Sequence, residues 1–231
     1  EWNCPCTWNL GRVPTANDDI VISCPMTVSG PGGSARNIGI YSDVALFSNF
    51  GAIQDVYNSG NIHAVNGSQP LLGARNFSNS KPPNNPLGGL LAVHEIRATG
   101  NVRNTGFISV TTQLESINLE TSPESGITAD LVRVQGNLEN YGRIEALGTA
   151  GITVRGNVDN GGILRAPVLA ITGNQHNFSG PGLWQFGAFV IPGGFSGPPQ
   201  TVSLNSNVTF DIPTFSVQGT LDVRDKTLNL K

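Results

Sequence analysis

Charge is scarce in this chain. Only 13% of its 231 residues are Asp, Glu, Lys or Arg, about half the share of an ordinary globular protein. The net charge of −3 and the want of any basic stripe leave no electrostatic footprint for nucleic acid. Helical patterning is missing too: no window sustains a 3.6-residue apolar period, and Met occurs once. No apolar run approaches membrane-spanning length, so no membrane span is expected. There is no Gly-x-Ser-x-Gly elbow and no Gly-x-x-x-x-Gly-Lys loop. His63, His94 and His176 are scattered without the spacing of a metal pair. Catalytic residues, cofactor and metal are therefore all expected to be absent, and the chain is not expected to be an enzyme. With neither an initiator Met nor a signal peptide, Glu1 reads as a processed or trimmed start.

Gly (29) and Pro (15) are abundant, and Asn, Ser, Thr, Val and Ile fill much of the remainder, a composition of strands and turns. Within it lies a repeat. Val134-Gln-Gly136-Asn137-Leu-Glu-Asn140-Tyr-Gly142-Arg-Ile144-Glu-Ala146 recurs twenty positions later as Val154-Arg-Gly156-Asn157-Val-Asp-Asn160-Gly-Gly162-Ile-Leu164-Arg-Ala166. The unit Gly-Asn-x-x-Asn also occurs at Gly100–Asn104, and a shortened form at Gly173-Asn174-Gln-His-Asn177. Glycine starts 36, 20 and 17 residues apart read as two coils, one coil and one coil of a solenoid.

This predicts an all-β fold, a single parallel β-helix (β-solenoid) with an N-terminal capping segment and two decorating loops. Residues 1–35 form the cap with a cysteine clip, and 36–231 the solenoid, with insertions at about 66–89 and 178–200. There is room for roughly nine or ten coils, a rod of about 45 Å at the strand spacing. Branched residues alternating with polar ones turn Ile108, Ile144 and Leu164 inward. Asn104, Asn140, Asn160 and Asn177 are equivalent and should stack as a structural ladder, each amide bonding those above and below. Phe47–Ile53 and Val56–Ile62 share a looser apolar-x-Asn-x-Gly-x-Ile spacing, nine residues apart, and belong on two sides of one coil. Residues 178–200 abandon the repeat, with Trp184, Phe186 and Phe189 assigned to core and loop packing.

Stacking brings equivalent side chains about 5 Å apart. The position three after each repeat glycine holds Arg103, Glu139, Asp159 and His176. Neighbouring carboxylates raise one pKa or attract a cation, so Glu139, Asp159 and His176 form a ligand or cation column; the alternative is a solvated turn column. Glu145 and Arg165 should pair across coils. All three cysteines, Cys4, Cys6 and Cys24, lie near the N-terminus. Cys24 paired with Cys4 or Cys6 would clip that segment and imply an oxidising compartment, leaving one thiol free or joined to another chain. The alternative is three reduced cysteines. Asn17, Asp18 and Asp19 lack EF-hand spacing and read as a solvated turn.

Trp8-Asn-Leu-Gly-Arg-Val-Pro14-Thr-Ala-Asn17-Asp18-Asp19-Ile-Val-Ile22 resembles the opening of β-helical regions in secreted surface proteins of gliding-type Bacteroidota. Val202–Val208, Gly219–Val223 and Lys226–Leu230 resemble the closing coils of those regions. The resemblance implies a right-handed β-helix, export to the extracellular or cell-surface space, and a structural or adhesive role. The Cys-Pro-Cys departs from that pattern. The expectation is a non-enzymatic surface module, self-associating end to end as a filament subunit or binding a cell-surface glycan. The alternative is a carbohydrate-binding or polysaccharide-cleaving β-helix working around Glu139, Asp159 and the two loops.

Overall fold

Strict alternation over three or four residues is enough to fix most strands of this chain, because each needs only to turn its apolar positions one way. A computed structural model describes residues 1–4, 7–9, 11–81, 89–173, 175–191, 201–217, 220–223 and 225–231. Among them there is no α-helix, and the strands stack in parallel as a β-solenoid. Glu1–Leu114 and Glu115–Lys231 form two compact units.

In the first unit each coil contributes three short strands. Its first face stacks Asp19–Ile22, Asn37–Ile40, Asp55–Asn58, Asn76–Asn79 and Asn101–Asn104. The second face stacks Met26–Val28, Asp43–Leu46, Asn61–Ala64, Leu90–Val93 and Phe107–Val110. The third stacks Gly33–Ala35, Phe50–Ala52, Leu71–Ala74 and Glu95–Ala98. Inward positions fall in register: Ile20, Ile38, Val56, Phe77 and Val102 lie opposite one another and are all buried. Each such side chain contributes about 1.5–3 kcal/mol when fully buried.

The N-terminal residues lie on the first coil. The Trp2 amide donates to the Thr27 carbonyl at 2.9 Å, using an acceptor of the second face's first strand. The Trp2 indole, almost wholly buried, packs edge-on to Trp8 at 5.0 Å and to Phe50 at 5.2 Å. Gly33 leaves the room for it, since a Cβ there would sit 2.6 Å from the indole.

In the second unit the corner between the second and third faces is smoothed into long bent strands. Gly126–Val134, Arg143–Val154, Ile163–Ile171 and Leu183–Ile191 each cover both faces. Its first face stacks Asn118–Thr121, Leu138–Asn140, Val158–Asn160, Gln175–Ser179, Thr201–Leu204 and Thr220–Asp222. Leu138 lies opposite Val158, the twenty-residue coil that the repeat predicts. The core here is aromatic: Phe178 stacks on Trp184 at 5.4 Å, and Phe189 meets Phe210 at 5.1 Å.

The insertions differ from expectation. Within 66–89, Leu71–Ala74 and Asn76–Asn79 are regular solenoid strands with Leu72, Phe77 and Asn79 buried. Residues 82–88 lie outside the described residues. Density in Pro, Gly and Asn hid two strands whose inward positions alternate normally. Within 178–200, Leu183–Ile191 is a nine-residue strand with Trp184, Phe186 and Phe189 in the core; residues 192–200 lie outside the described residues. Bulky aromatics had replaced the branched aliphatics without changing the period.

Candidate functional site

The second asparagine of the repeat unit ends the first-face strands at Asn104, Asn140 and Asn160, as Asn58 and Asn79 end theirs, where the chain turns toward the second face. In the first unit Asn58 Nδ2 donates to Asn79 Oδ1 at 2.8 Å, and Asn79 Nδ2 donates to Asn104 Oδ1 at 2.9 Å. In the second unit Thr121 Oγ1 donates to Asn140 Oδ1 at 2.6 Å, and Asn140 Nδ2 donates to Asn160 Oδ1 at 2.7 Å. All six side chains are fully buried. The amides also satisfy corner carbonyls: Asn140 Nδ2 reaches Ile163 O at 2.9 Å, and Asn160 Nδ2 reaches Leu183 O at 3.0 Å. A buried amide column is tolerable only when its members are bonded. Asn58 Oδ1, at the start of its run, has no partner among the described residues.

Asn140 and Asn160 thus bond each other as expected and Asn104 bonds Asn79 within the first unit, whereas Asn177 is in neither buried run. Val158 pairs with Phe178, which puts Asn177 opposite Asn157, and Asn177 is exposed. The position that pairs with Val158, two residues after Gly156, is Phe178, five residues after Gly173, so the two glycines are offset by three residues in register. Asn58, Asn79 and Thr121 belong to the buried ladders without having been assigned to them. For Asn58 the signal was present, an Asn followed two residues later by Gly, as at Asn104, Asn140 and Asn160. For Asn79 the next glycine is Gly88, nine residues on, and the pattern is invisible.

Asn177 instead joins a second, exposed ladder built by the first asparagine of the unit. Asn118 Oδ1 accepts from the Asn137 amide at 2.8 Å, Asn137 Oδ1 from Asn157 at 3.0 Å, and Asn157 Oδ1 from Asn177 at 2.9 Å. The glycine before the asparagine is explained by the same geometry: a Cβ on Gly156 would lie 2.6 Å from Asn137 Oδ1.

Register places Glu120, Glu139, Asp159 and Ser179 in one column. Glu139 and Asp159 are adjacent as expected; His176 is not with them, being paired with Val202 by the same three-residue offset. Asp159 is engaged: Tyr141 Oη donates to its Oδ2 at 2.9 Å, and Ser179 Oγ to its Oδ1 at 2.9 Å. That hydrogen bond, with the negative charge behind it, raises the Tyr141 phenol above the usual tyrosine range. In the first unit the same column runs Val21, Gly39, Tyr57, Ser78, Arg103. Among the described residues no group of three or more His, Cys, Asp or Glu is arranged to hold a metal.

Near the N-terminus, Arg12 forms a two-pronged ion pair with Asp18, both contacts at 2.7 Å, and Asp18 Oδ2 also accepts from the Thr15 amide and hydroxyl. These donors hold the Asp18 carboxyl well below the ordinary carboxylate range. Asp19 is lowered by Arg36 and then Asn37. Cys24 is an exposed free thiol, so the expected clip from Cys24 to Cys4 or Cys6 is not formed. Cys6 lies outside the described residues. The segment is fastened by Trp2 burial and guanidinium–carboxylate pairing, which sequence spacing alone did not reveal.

Glu145, Arg165, Gln185 and Asp211 align along the second face of the second unit. Arg165 Nη1 lies 3.4 Å from Glu145 Oε1, the expected cross-coil pair, and Gln185 Nε2 donates to Asp211 Oδ2 at 3.0 Å. They line a groove of about 430 Å³ with Leu147, Pro167 and Pro213. Beside it, five residues separate Ala146 from Ile152 where two separate Ala166 from Leu169, a three-residue bulge (5 − 2 = 3) in Arg143–Val154.

Together these features define a class, the parallel β-solenoid held by paired asparagine ladders. No family model matches the chain, and neither the curated proteins nor the solved structures compared with it include a match.

Proposed function

We propose that this chain is a non-enzymatic structural or adhesive module of an extracellular surface. The observation that carries this reading is the use of the repeat's polar groups. Both asparagines of the unit bond from coil to coil, one ladder buried and one exposed, which favours a rigid stack that presents its outer columns. The resemblance of residues 8–22 and 202–230 to β-helical regions of secreted Bacteroidota surface proteins supports the location. Surface labelling of intact source cells, followed by loss of attachment on deleting the coding region, tests it; protein confined to the cytosol would overturn it.

Self-association end to end extends the reading, since a heterologous contact that does not close gives a fibre. Asp19–Ile22 is an edge strand of its sheet, while the neighbouring Thr27 carbonyl already serves Trp2. Filaments seen by electron microscopy would support it, and a monodisperse monomer at all concentrations would remove it while leaving the adhesive role.

A second reading, polysaccharide binding or cleavage, is favoured by the groove along Glu145, Arg165, Gln185 and Asp211 and by the adjacency of Glu139 and Asp159. Turnover of an acidic polysaccharide that is lost in Asp159→Ala would favour it over the structural one.

A further inference from the structure

Large apolar side chains on a solenoid's outer face ordinarily stand singly. On the first face of the first unit three lie together. Val21 is 65% exposed, Tyr41 57% and Tyr57 40%. The Tyr41 and Tyr57 rings are 5.8 Å apart, centre to centre, and inclined at 45°. Val21, Gly39 and Tyr57 share one outward column on successive coils. Tyr41 follows that column at the corner and folds back over Gly39: a Cβ on Gly39 would lie 3.2 Å from its ring. Gly39 is thus the gap in the column that lets the second ring lie beside the first. Two residues earlier on each strand, roughly 6.6 Å along it, runs a polar column, Asp19, Asn37, Asp55 and Asn76. Its members are held by one another: Asn37 Nδ2 donates to Asp19 Oδ1 at 2.8 Å, and Asn76 Nδ2 to Asp55 Oδ1 at 2.8 Å.

We propose that the Tyr41–Tyr57 pair, with Gly39 beneath and the Asp19–Asn76 column beside it, is a binding platform for a neutral, extended glycan. This deepens the adhesive reading and rests on it. A pyranose ring has an apolar face and a rim of hydroxyls, which matches an aromatic surface bordered by fixed carboxylate and amide oxygens. Coils rise about 4.8 Å each, so rings carried on successive coils meet successive sugars of a chain lying along the stack. Charge narrows the class. Asp55 borders the platform, Asp19 is neutralised there by its ion pair with Arg36, and the chain carries a net charge of −3, a balance that favours a neutral polymer over acidic polysaccharides and anionic lipid surfaces. An open pair of rings on an outward sheet face also lacks the groove that an amphipathic peptide helix needs.

The test is affinity electrophoresis and calorimetry of the whole chain against soluble neutral β-glucan, xylan and mannan, with polygalacturonate as the anionic comparison. Retardation by at least one neutral polymer is expected, falling at least tenfold in Tyr41→Ala and in Tyr57→Ala. Both positions are exposed, and unchanged circular dichroism confirms folding. Gly39→Val, which fills the seat of Tyr41, should weaken binding similarly. Tyr141→Ala is the control: it is the one tyrosine in the sequence of the second unit and its hydroxyl is held by Asp159, so binding should persist. Absence of retardation by every neutral polymer overturns the proposal, as does equal binding by Tyr57→Ala or preference for polygalacturonate. Surface attachment that survives in the Tyr41→Ala/Tyr57→Ala chain would keep the adhesive reading while removing this ligand.

Discussion

Asn58 and Asn79 are neighbours in one buried ladder, yet removing them should not cost the same. Asn79 accepts from Asn58 Nδ2 and donates both to Asn104 Oδ1 and to the Gly89 carbonyl at 2.7 Å. In Asn79→Ala the Asn58 amide loses its partner while its Oδ1 is already without one, leaving a wholly unsatisfied buried carboxamide. The Asn104 carbonyl keeps the Gly106 amide, and the Gly89 carbonyl keeps the Phe107 amide. At about 1–3 kcal/mol for a stranded buried polar group, plus a share for the weakened acceptors, the cost is about 3–4 kcal/mol. Asn58→Ala strands only Asn79 Oδ1 and removes the orphaned Asn58 Oδ1, for about 1–2 kcal/mol. The double substitution strands neither the Asn58 amide nor Asn79 Oδ1, so it should cost about 2–5 kcal/mol less than the sum. Stacked repeats need not unfold in one step. The quantity to measure is therefore the opening free energy from native-state hydrogen exchange of amides in Asp55–Asn58 and Asn76–Asn79. Strict additivity, or equal costs for the two single substitutions, would refute this account of the ladder.

Glu124 holds φ at +63°, a left-handed geometry that costs a side chain about 1 kcal/mol; Glu124→Gly should raise the thermal midpoint, and a lowered one would show that its side chain matters. The Asp18 and Asp19 carboxyls have depressed pKa values, so what they contribute is present above the ordinary carboxylate pKa and lost as pH falls through the folded value. The N-terminal fastening should therefore persist in mild acid and loosen only in strong acid, read by exchange of the Asp18 and Arg36 amides; release beginning at the ordinary Asp pKa would contradict it. Tyr141 should ionise above the usual tyrosine range, and Asp159→Asn should bring it down, seen by ultraviolet difference titration; an unmoved midpoint would mean that the Asp159 contact is not made in solution.

How much of this could be read beforehand depended on how regular the coil was. The twenty-residue step from Leu138 to Val158, the inward Ile144 and Leu164, and the ladder at Asn104, Asn140 and Asn160 were all legible, because glycine and asparagine recur at fixed offsets. Asn177 and His176 were misplaced by three extra residues in one connection, and a one-dimensional pattern cannot say whether a shortened repeat is a coil or a slipped corner. Leu71–Asn79 reads as loop in sequence because its two strands lie between Pro-rich and Asn-rich turns. The Tyr41–Tyr57 pair was unreadable for another reason. The two are sixteen residues apart and meet only because Tyr41 folds back over Gly39, a contact set by register and side-chain direction together.

The physics of stacking limits where such a chain can carry specificity. Inward positions are fixed by the core, and a charge there would be buried without compensation. Corner positions are fixed as well, by the two asparagine ladders and by glycines such as Gly162, whose absent Cβ would strike the Gly142 carbonyl at 2.0 Å. The outward middle of each strand is the place where sequence changes freely at small cost to the stack. There the first unit carries Val21, Gly39 and Tyr57, and the second carries Glu120, Glu139 and Asp159. Equivalent positions in one architecture thus present an apolar aromatic surface in one unit and a carboxylate row in the other. That difference is one stacking does not require, because the outward middle positions are constrained by neither the core nor the corner ladders.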